Sequence, residues 1–393
     1  MPNSAEHLPS LADLPMPVLQ PAPDWRRLQE SGAVVRVRTY AGDEAWLITR
    51  YAEIKKLLTD PRLGRTHPDP ANAPKFIDSP MFDLAVGQSD HTTELADHRR
   101  LRTVLAPYFS RNRMAALEPA VARIVDEEVA ALAAHGPPAD LQEEFANPLS
   151  LAVLCELIGI PAEERGELGK RLAEASLLGS EAGGQGPLSA MLGGLAAERR
   201  ARPRDDLMSG VCAAGLPDGE ATGMVAGVIF AGHGSVVSHL GFGVARLCSD
   251  ERLRAAVAAD PGLLPDAVEE LLRTSSAGGG SMPHYALEDL EVAGVRIAAG
   301  DLVLLDFALA NFDRRAFADP DRIDPARTPN QHLTFAHGLW HCVGAPLARM
   351  ELRLAFSALL RRFPELRLVR PVAELSTPSD QLAGGLSALL VAW

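Results

Sequence analysis

The residues best suited to chemistry lie in one loop near the C-terminus, which reads Phe-Ala-His-Gly-Leu-Trp-His-Cys-Val-Gly-Ala from Phe335 to Ala345. A lone cysteine is most often a small buried hydrophobic residue. Cys342, however, directly precedes a stretch that predicts a helix from about Ala345 to Arg362. Free backbone N–H groups and the positive dipole end at the start of that helix favour a thiolate. The loop is therefore suited to a permanent metal ligand at Cys342.

A structural cysteine in a glycine-bearing turn is the alternative, and the loop alone does not decide between the two. The other cysteines, Cys155, Cys212 and Cys248, are far apart in sequence and show no CxxC spacing. We therefore expect neither a disulfide framework nor a zinc site.

Length, charge and composition narrow the class of protein. The 393-residue chain is 47% hydrophobic and carries a net charge of −13, which disfavours nucleic acid and an anionic membrane surface as partners. Residues 1–23 are rich in proline and polar residues without a hydrophobic targeting segment, so we expect an extended N-terminal segment and a cytoplasmic protein. No linker is evident, so we expect one domain over residues 1–393.

Helices dominate the predicted elements, and strands are a minority. One β-hairpin is predicted from residues 33–37 and 45–49, and another across Ala299-Gly300-Asp301. Three irregular segments, residues 60–93, 179–186 and 275–282, are suited to pocket walls or lids. Helical patterns cover residues 52–59, 96–134, 141–157 and 162–178, and they resume after Pro187.

Residues 221–245 contain no Asp, Glu, Lys or Arg and are long enough to cross a bilayer. The segment carries six glycines and two histidines, and its flanks have no basic bias. We therefore expect a buried central helix rather than a membrane span.

The cysteine loop resembles the haem-binding signature of the cytochrome P450 family, and the resemblance covers nearly the whole chain. It implies a mainly α fold with a minor β region, in which helices surround a buried haem b and Cys342 is the axial ligand. A cysteine thiolate on haem iron favours O–O cleavage. The implied activity is that of a monooxygenase.

Glu270 and Arg273 lie three residues apart on a predicted helix and so share a face. A surface ion pair is the simpler interpretation, because Glu251 and Arg254 match the same pattern by chance. In the family, such a pair joins a downstream arginine in a buried cluster behind the haem. The resemblance assigns that arginine to Arg322 and makes the three residues structural rather than catalytic.

His98 and Arg102 lie four residues apart on a predicted helix and could hold one carboxylate, with a solvated basic patch as the alternative. In the family this pair binds a haem propionate. Two further propionate contacts of the family are altered, since Trp340 and His284 stand where cationic side chains are usual. Trp340 can donate one N–H, and His284 can pair if it is protonated. The loop's first glycine is replaced by Ala336.

Gly232, Gly234 and Ser235 lie where the family places groups that deliver protons during dioxygen activation, beside a local distortion of the helix. Gly234 replaces an acid, and Ser235 stands in place of the usual threonine. We expect Ser235 and Gly232 to lie over the distal face of the haem. The alternative for Ser235 is a hydrogen bond to the preceding helical turn.

Three functions remain open. The first is a haem–thiolate monooxygenase that acts with O2 on a small aromatic or cyclic intermediate of secondary metabolism. The second is oxidative C–C or C–N radical coupling without oxygen insertion, which the missing acid at Gly234 allows. The third, a haem-binding sensor without turnover, is disfavoured by the three pocket-forming segments.

Electrons must come from outside, because the chain has no flavin or iron–sulfur motif. The resemblance implies a ferredoxin and its reductase as donors, and a monomeric enzyme. The donor is expected to dock on the cysteine side, where five arginines could cluster: Arg99, Arg100, Arg111, Arg113 and Arg349.

Overall fold

A computed structural model describes residues 8–15, 18–78, 90–176, 185–275, 281–377 and 385–393. Within these residues the fold is mainly helical with three small sheets, as the sequence predicts. The α-helices are α1 Pro23–Ser31, α2 Tyr51–Leu57, α3 Glu94–Leu105, α4 Arg111–His135, α5 Asn147–Ile158, α6 Arg165–Ser176, α7 Gln185–Ala201, α8 Leu207–Ala213, α9 Asp218–Ser249, α10 Glu251–Ala259, α11 Leu264–Thr274, α12 Phe307–Ala310 and α13 Ala345–Arg362.

The largest sheet has five strands in the order β1-β2-β8-β5-β3, and the two smaller ones are β4-β10-β9 and β6-β7. In the large sheet β2 runs parallel to β8, and the other neighbours are antiparallel. The strands are β1 Val34–Arg38, β2 Glu44–Ile48, β3 Leu63–Gly64, β4 Ala139–Asp140, β5 Ser281–Ala286, β6 Leu290–Val292, β7 Val295–Ile297, β8 Leu302–Asp306, β9 Arg367–Leu368 and β10 Leu390–Ala392.

One predicted hairpin is confirmed and the other is wrong. Strands β1 and β2 pair as expected. The turn at Gly300, however, joins β7 to β8, and these strands lie in different sheets. The partner of β7 is β6, across Ala293 and Gly294, which both have positive φ angles. Two central residues with positive φ form the tight hairpin turn that matches strand twist.

Two predicted helices are interrupted. The pattern over 96–134 is divided between α3 and α4 by a 3₁₀ turn at Ala106–Phe109, after which the Ser110 hydroxyl caps α4. The pattern over 141–157 begins with a π-helical turn at Gln142–Ala146, before α5. Apolar periodicity continues through such breaks, so the sequence pattern does not report them.

Helix α9 contains the uncharged segment, and it is the one helix of the described chain long and apolar enough to cross a bilayer. It packs against α5, α7, α8, α11 and α13, which is the arrangement of a core helix. Its glycines allow close approach: a Cβ at Gly243 would lie 2.3 Å from Cζ of Phe356 on α13. This packing places α9 beside the helix that follows the cysteine loop.

The remaining predicted segments are only partly covered. Residues 79–89, 179–184 and 276–280 of the three pocket-forming segments lie outside the described residues. The N-terminal segment is anchored rather than simply extended, since Leu11 is buried and forms part of a 3₁₀ turn at Leu11–Asp13. The Arg38 N–H donates to the Pro9 carbonyl at 2.8 Å, which joins this segment to β1.

Candidate functional site

The cysteine loop is closed by its own backbone. The Cys342 N–H donates to the Phe335 carbonyl at 2.8 Å, and Ala336 and Gly338 turn the chain with φ angles of 55° and 62°. Helix α13 begins three residues after Cys342, as predicted. Burial raises the pKa of the Cys342 thiol, whereas hydrogen bonds from the Gly344 and Ala345 N–H groups to the sulfur oppose that rise. These donors suit a metal-bound thiolate.

The Cys342 side chain lies in a recess. The residue is exposed at its surface, yet enough protein surrounds the thiol for burial to raise its pKa. The thiol is therefore surrounded by protein on most sides and remains open to solvent on the others.

His98 and Arg102 on α3 both reach the cysteine loop, as their spacing predicts. His98 Nε2 lies 3.1 Å from the Leu339 carbonyl, and Arg102 Nη1 donates to the His341 carbonyl at 2.5 Å. The His98 ring also packs against the Trp340 ring, with centroids 4.4 Å apart. Helix α3 and the loop therefore form one side of the site, with Trp340 between them.

His284 on β5 is fully buried beside this cluster. Its Nδ1 lies 2.9 Å from the Met282 carbonyl, and its Nε2 has no hydrogen-bond partner in the described part of the chain. Burial, and then the charge of Arg65, lower the pKa of His284 to about 3. In the chain itself this favours the neutral ring at neutral pH, so the condition under which His284 could pair as a cation, its protonation, is disfavoured.

Arg65 is a residue of this site that the sequence analysis missed. Its guanidinium carbon lies 4.4 Å from the centroid of the Trp340 ring. Its Nε is buried and unpartnered, and the guanidinium makes no ion pair with the described residues. No motif marks Arg65. Arg65 reaches the site because Gly64, which precedes it, pairs with Tyr285, the neighbour of His284.

These residues fit a haem with carboxylate substituents. A thiol with two backbone donors lies in a recess, and unpartnered polar atoms of Arg65 and His284 are buried beside the same loop. Buried polar groups in native proteins normally pair with protein, water or a ligand, so these atoms are available to carboxylates bound beside the loop.

On α9, the Ser235 hydroxyl donates to the Ala231 carbonyl at 2.7 Å, so the alternative foreseen for Ser235 is confirmed. Helix α9 is regular α-helix through this point, and the helix distortion expected from the family is not found there. Ala231 and Ser235 are both exposed, one turn apart, and they continue an exposed stripe of this helix that includes Gly223 and Gly227. Gly234 lies between His233 and Ser235 and is half-buried.

Gly232 has a packing role as well as its predicted place beside the haem. A Cβ at this position would lie 3.1 Å from Cδ2 of Leu154 on α5. The neighbouring His233 is held neutral, because burial lowers the pKa of its ring to about 4.

Behind the loop, Glu270 and Arg273 form the predicted buried pair. Arg273 donates through Nε and Nη2 to the two Glu270 oxygens, at 2.7 and 2.9 Å, and both side chains are fully buried. The assignment of Arg322 is wrong, because the third arginine is Arg327, whose Nε donates to Glu270 at 3.0 Å. Arg322 is exposed and contributes only its carbonyl, which accepts from Arg273.

Three of the five arginines proposed for docking are already engaged. Arg100 pairs with Glu220, Arg113 with Asp205, and Arg349 with Glu269. Arg349 also lies over the Phe335 ring, with its guanidinium carbon 4.5 Å from the ring centroid. Arg99 and Arg111 are exposed.

Comparison with known proteins agrees with this geometry. A sequence model of the family described as Cytochrome P450 matches residues 225–381. The chain is 37% identical over 384 residues to mycinamicin IV hydroxylase/epoxidase of Micromonospora griseorubida, with 94% of each chain covered. It is 35% identical over 385 residues to pentalenolactone synthase of Streptomyces exfoliatus, with 95% of this chain and 96% of the other covered. A solved structure of a substrate-free cytochrome P450, a polyene macrolide antibiotic pimaricin epoxidase, superposes with a TM-score of 0.91 and 44% identity, covering 99% of this chain and 100% of the other.

Proposed function

The chain belongs to the cytochrome P450 family and to its haem–thiolate monooxygenases of secondary metabolism, and on this premise we propose that it hydroxylates or epoxidises a cyclic intermediate. Two relatives support the reaction, since one is named a hydroxylase/epoxidase and the other an epoxidase. The second is described for a polyene macrolide antibiotic. Of the aromatic and cyclic substrates left open above, these relatives favour a large cyclic one of the macrolide type.

The observation that carries the proposal is the geometry at Cys342. We propose haem b as the cofactor, whose iron the Cys342 sulfur would bind. A bound haem would supply dioxygen activation, in which one oxygen atom enters the substrate and the other leaves as water, with electrons supplied from outside. The Gly344 and Ala345 N–H groups stabilise the thiolate. His98, Arg102, His284 and Trp340 line the side that we assign to the haem carboxylates.

Ser235 is the residue that we assign to proton transfer on the substrate side. Its hydroxyl proton is engaged by the Ala231 carbonyl, while its oxygen lone pairs remain able to accept a hydrogen bond. Ser235 therefore orders a neighbouring donor more readily than it donates. We assign Gly232 and Gly234 to the same face, where a water molecule or a substrate hydroxyl replaces the acid that Gly234 lacks.

We further propose a ferredoxin and its reductase as electron donors, a single domain over residues 1–393, a monomer and a cytoplasmic location. With three of the five arginines paired, Arg99 and Arg111 are the exposed cations left for an acidic partner on this side.

Turnover under isotopically labelled dioxygen tests the reaction. The full chain is supplied with a surrogate ferredoxin system and a panel of macrolactones, aromatic compounds and cyclic dipeptides. Labelled oxygen in a macrolactone product supports the proposal. An oxidised or dimeric product without label indicates radical coupling and overturns it. The Cys342→Ala variant is the control and is expected to give neither product.

A further inference from the structure

Arg65 is held in a fixed position by its own backbone. Its N–H donates to Oε1 of Glu94 at 2.8 Å, and the Thr66 N–H lies 3.2 Å from Oε2 of the same carboxylate. Gly64 permits this contact, because a Cβ there would lie 2.8 Å from Glu94 Oε2. Glu94 is buried, so the carboxylate fixes the backbone from which the Arg65 side chain extends toward Trp340.

The Arg65 guanidinium remains a cation without an ion pair in the described chain. It lies over the Trp340 ring, which stabilises a cation through the ring quadrupole. Burial lowers the pKa of Arg65 to about 10, against the opposing charge of Glu94, so it stays charged at neutral pH. Arg65 is half-buried, and its unpartnered Nε and its charge are better satisfied when an anionic ligand pairs with it.

The two side chains that adjoin Arg65, Trp340 and His284, do not supply a positive charge. Trp340 offers one N–H, and His284 is neutral with its Nδ1 engaged by the Met282 carbonyl. His98 and Arg102 each contact a carbonyl of the cysteine loop. Arg65 is therefore the cation of this cluster whose side chain has no polar partner among the described residues.

We propose that Arg65 binds a haem carboxylate, with the Trp340 indole as its platform, in place of the cationic side chain usual at position 340. The inference rests on the proposed haem function. An arginine matches a carboxylate with two parallel N–H donors. With tryptophan at position 340 and arginine at position 65, the positive charge that pairs with the carboxylate lies at the end of β3 instead of in the cysteine loop.

Haem loss from the full holoenzyme tests this assignment. Haem transfer to excess apomyoglobin is measured by absorbance for the wild type, Arg65→Met and Arg62→Met. Arg62 is the matched control, because it is partly exposed and paired with Asp60. Loss of a charge-assisted contact predicts haem release at least about tenfold faster in Arg65→Met, with no change in Arg62→Met. Equal rates in the two variants would overturn the inference.

Two further measurements separate lost binding from lost folding. Haem dimethyl ester lacks the carboxylate charges, so the wild type should retain it less well than haem, and Arg65→Met should discriminate less between them. Adding Trp340→His to Arg65→Met returns a cationic side chain and should restore haem retention. Unchanged discrimination and absent rescue would together contradict the assignment. If the wild type showed no haem–thiolate spectrum, the proposed function itself would fail.

Discussion

Two clusters of buried charge adjoin the cysteine loop, and they differ in how their polar atoms are satisfied. In the cluster around Glu270, the carboxylate accepts from Arg273, Arg327 and Asn330, and no side-chain polar atom of Glu270 or Arg273 lacks a partner. In the cluster around Trp340, the Nε of Arg65 and the Nε2 of His284 are buried without partners.

The difference lies in the ionised side chains. Folding strongly disfavours unpaired buried charge, and in the Glu270 cluster each ionised side chain is paired within the described chain, although the amide oxygen of Asn330 has no partner there. The atoms left unpaired beside Trp340 are available to pair with the haem carboxylates that we propose for this side of the site. Both clusters contain arginines, but only the cluster around Glu270 includes a carboxylate that pairs with them.

The largest expected effect is a loss of stability when the cluster around Glu270 is disrupted. Glu270→Gln leaves the buried cations Arg273 and Arg327 without a counter-charge, and we expect it to lower the free energy of unfolding by about 3–5 kcal/mol. Urea titration followed by tryptophan fluorescence measures this loss. Glu251→Gln is the matched control, since Glu251 has the same spacing to an arginine but is exposed. Equal losses in both variants would show that the Glu270 cluster has no special role in stability.

Arg327→Met and Arg322→Met test which arginine completes that cluster. Arg327 donates to Glu270 and to the Ala318 carbonyl, so its removal should cost about 2–3 kcal/mol. Removal of the exposed Arg322 side chain should change the unfolding free energy by less than about 0.5 kcal/mol. The same urea titrations measure both, and a larger loss in Arg322→Met would restore the original assignment.

The wrong assignment of Arg322 shows which contact of this cluster cannot be predicted from the sequence. Spacing on a helix predicts that Glu270 and Arg273 share a face, because helical geometry is local and regular. The third arginine comes from an irregular segment, where spacing does not fix direction. In that segment the backbone carbonyl of Arg322 accepts hydrogen bonds from Arg273 and Arg327, whereas the Arg322 side chain is exposed.

Glu269 lies on the same helix as Glu270 and is half-buried, whereas Glu270 is fully buried and Glu251 is exposed. Burial would raise the pKa of Glu269, but hydrogen bonds from His332 and Arg349, and the charge of Arg349, lower it to about 2 from 4.5. A lowered pKa in the folded state gives stability that is present above about pH 4.5 and is lost as the pH falls toward 2. Between about pH 5 and pH 3 the wild type should lose about 2 kcal/mol more than Glu269→Gln.

Urea titrations at several pH values measure this difference. Glu127→Gln is the control, because its pair with Arg123 is exposed on both sides, and such pairs contribute little. If Glu127→Gln flattened the pH dependence as much as Glu269→Gln does, the partial burial of Glu269 would not be the cause.

The candidate site was predictable where motifs are local and not where it depends on strand register. Cys342, His98 and Arg102 follow from the loop and from helical spacing, and the structure brings all three to one loop. Arg65 reaches Trp340 because β3 pairs with β5 beside His284. A two-residue strand has no detectable pattern, so this contact between distant segments was not foreseeable from the sequence.

The smallest expected effect concerns Ala336, which lies in the cysteine loop with a φ angle of 55°. Left-handed backbone costs an alanine about 1–2 kcal/mol, partly offset by the lower chain entropy of alanine in the unfolded state. Ala336→Gly should therefore raise the free energy of unfolding by about 1 kcal/mol. Ala293→Gly is the matched control, because Ala293 has a φ angle of 49° in the distant β6–β7 turn. If strain at Ala336 acts on the side of the site that we propose for the haem carboxylates, only Ala336→Gly will also change the rate of haem loss. If both variants are stabilised equally and haem loss is unchanged, the strain at Ala336 affects only the stability of the fold, and Ala336 has no role in haem binding.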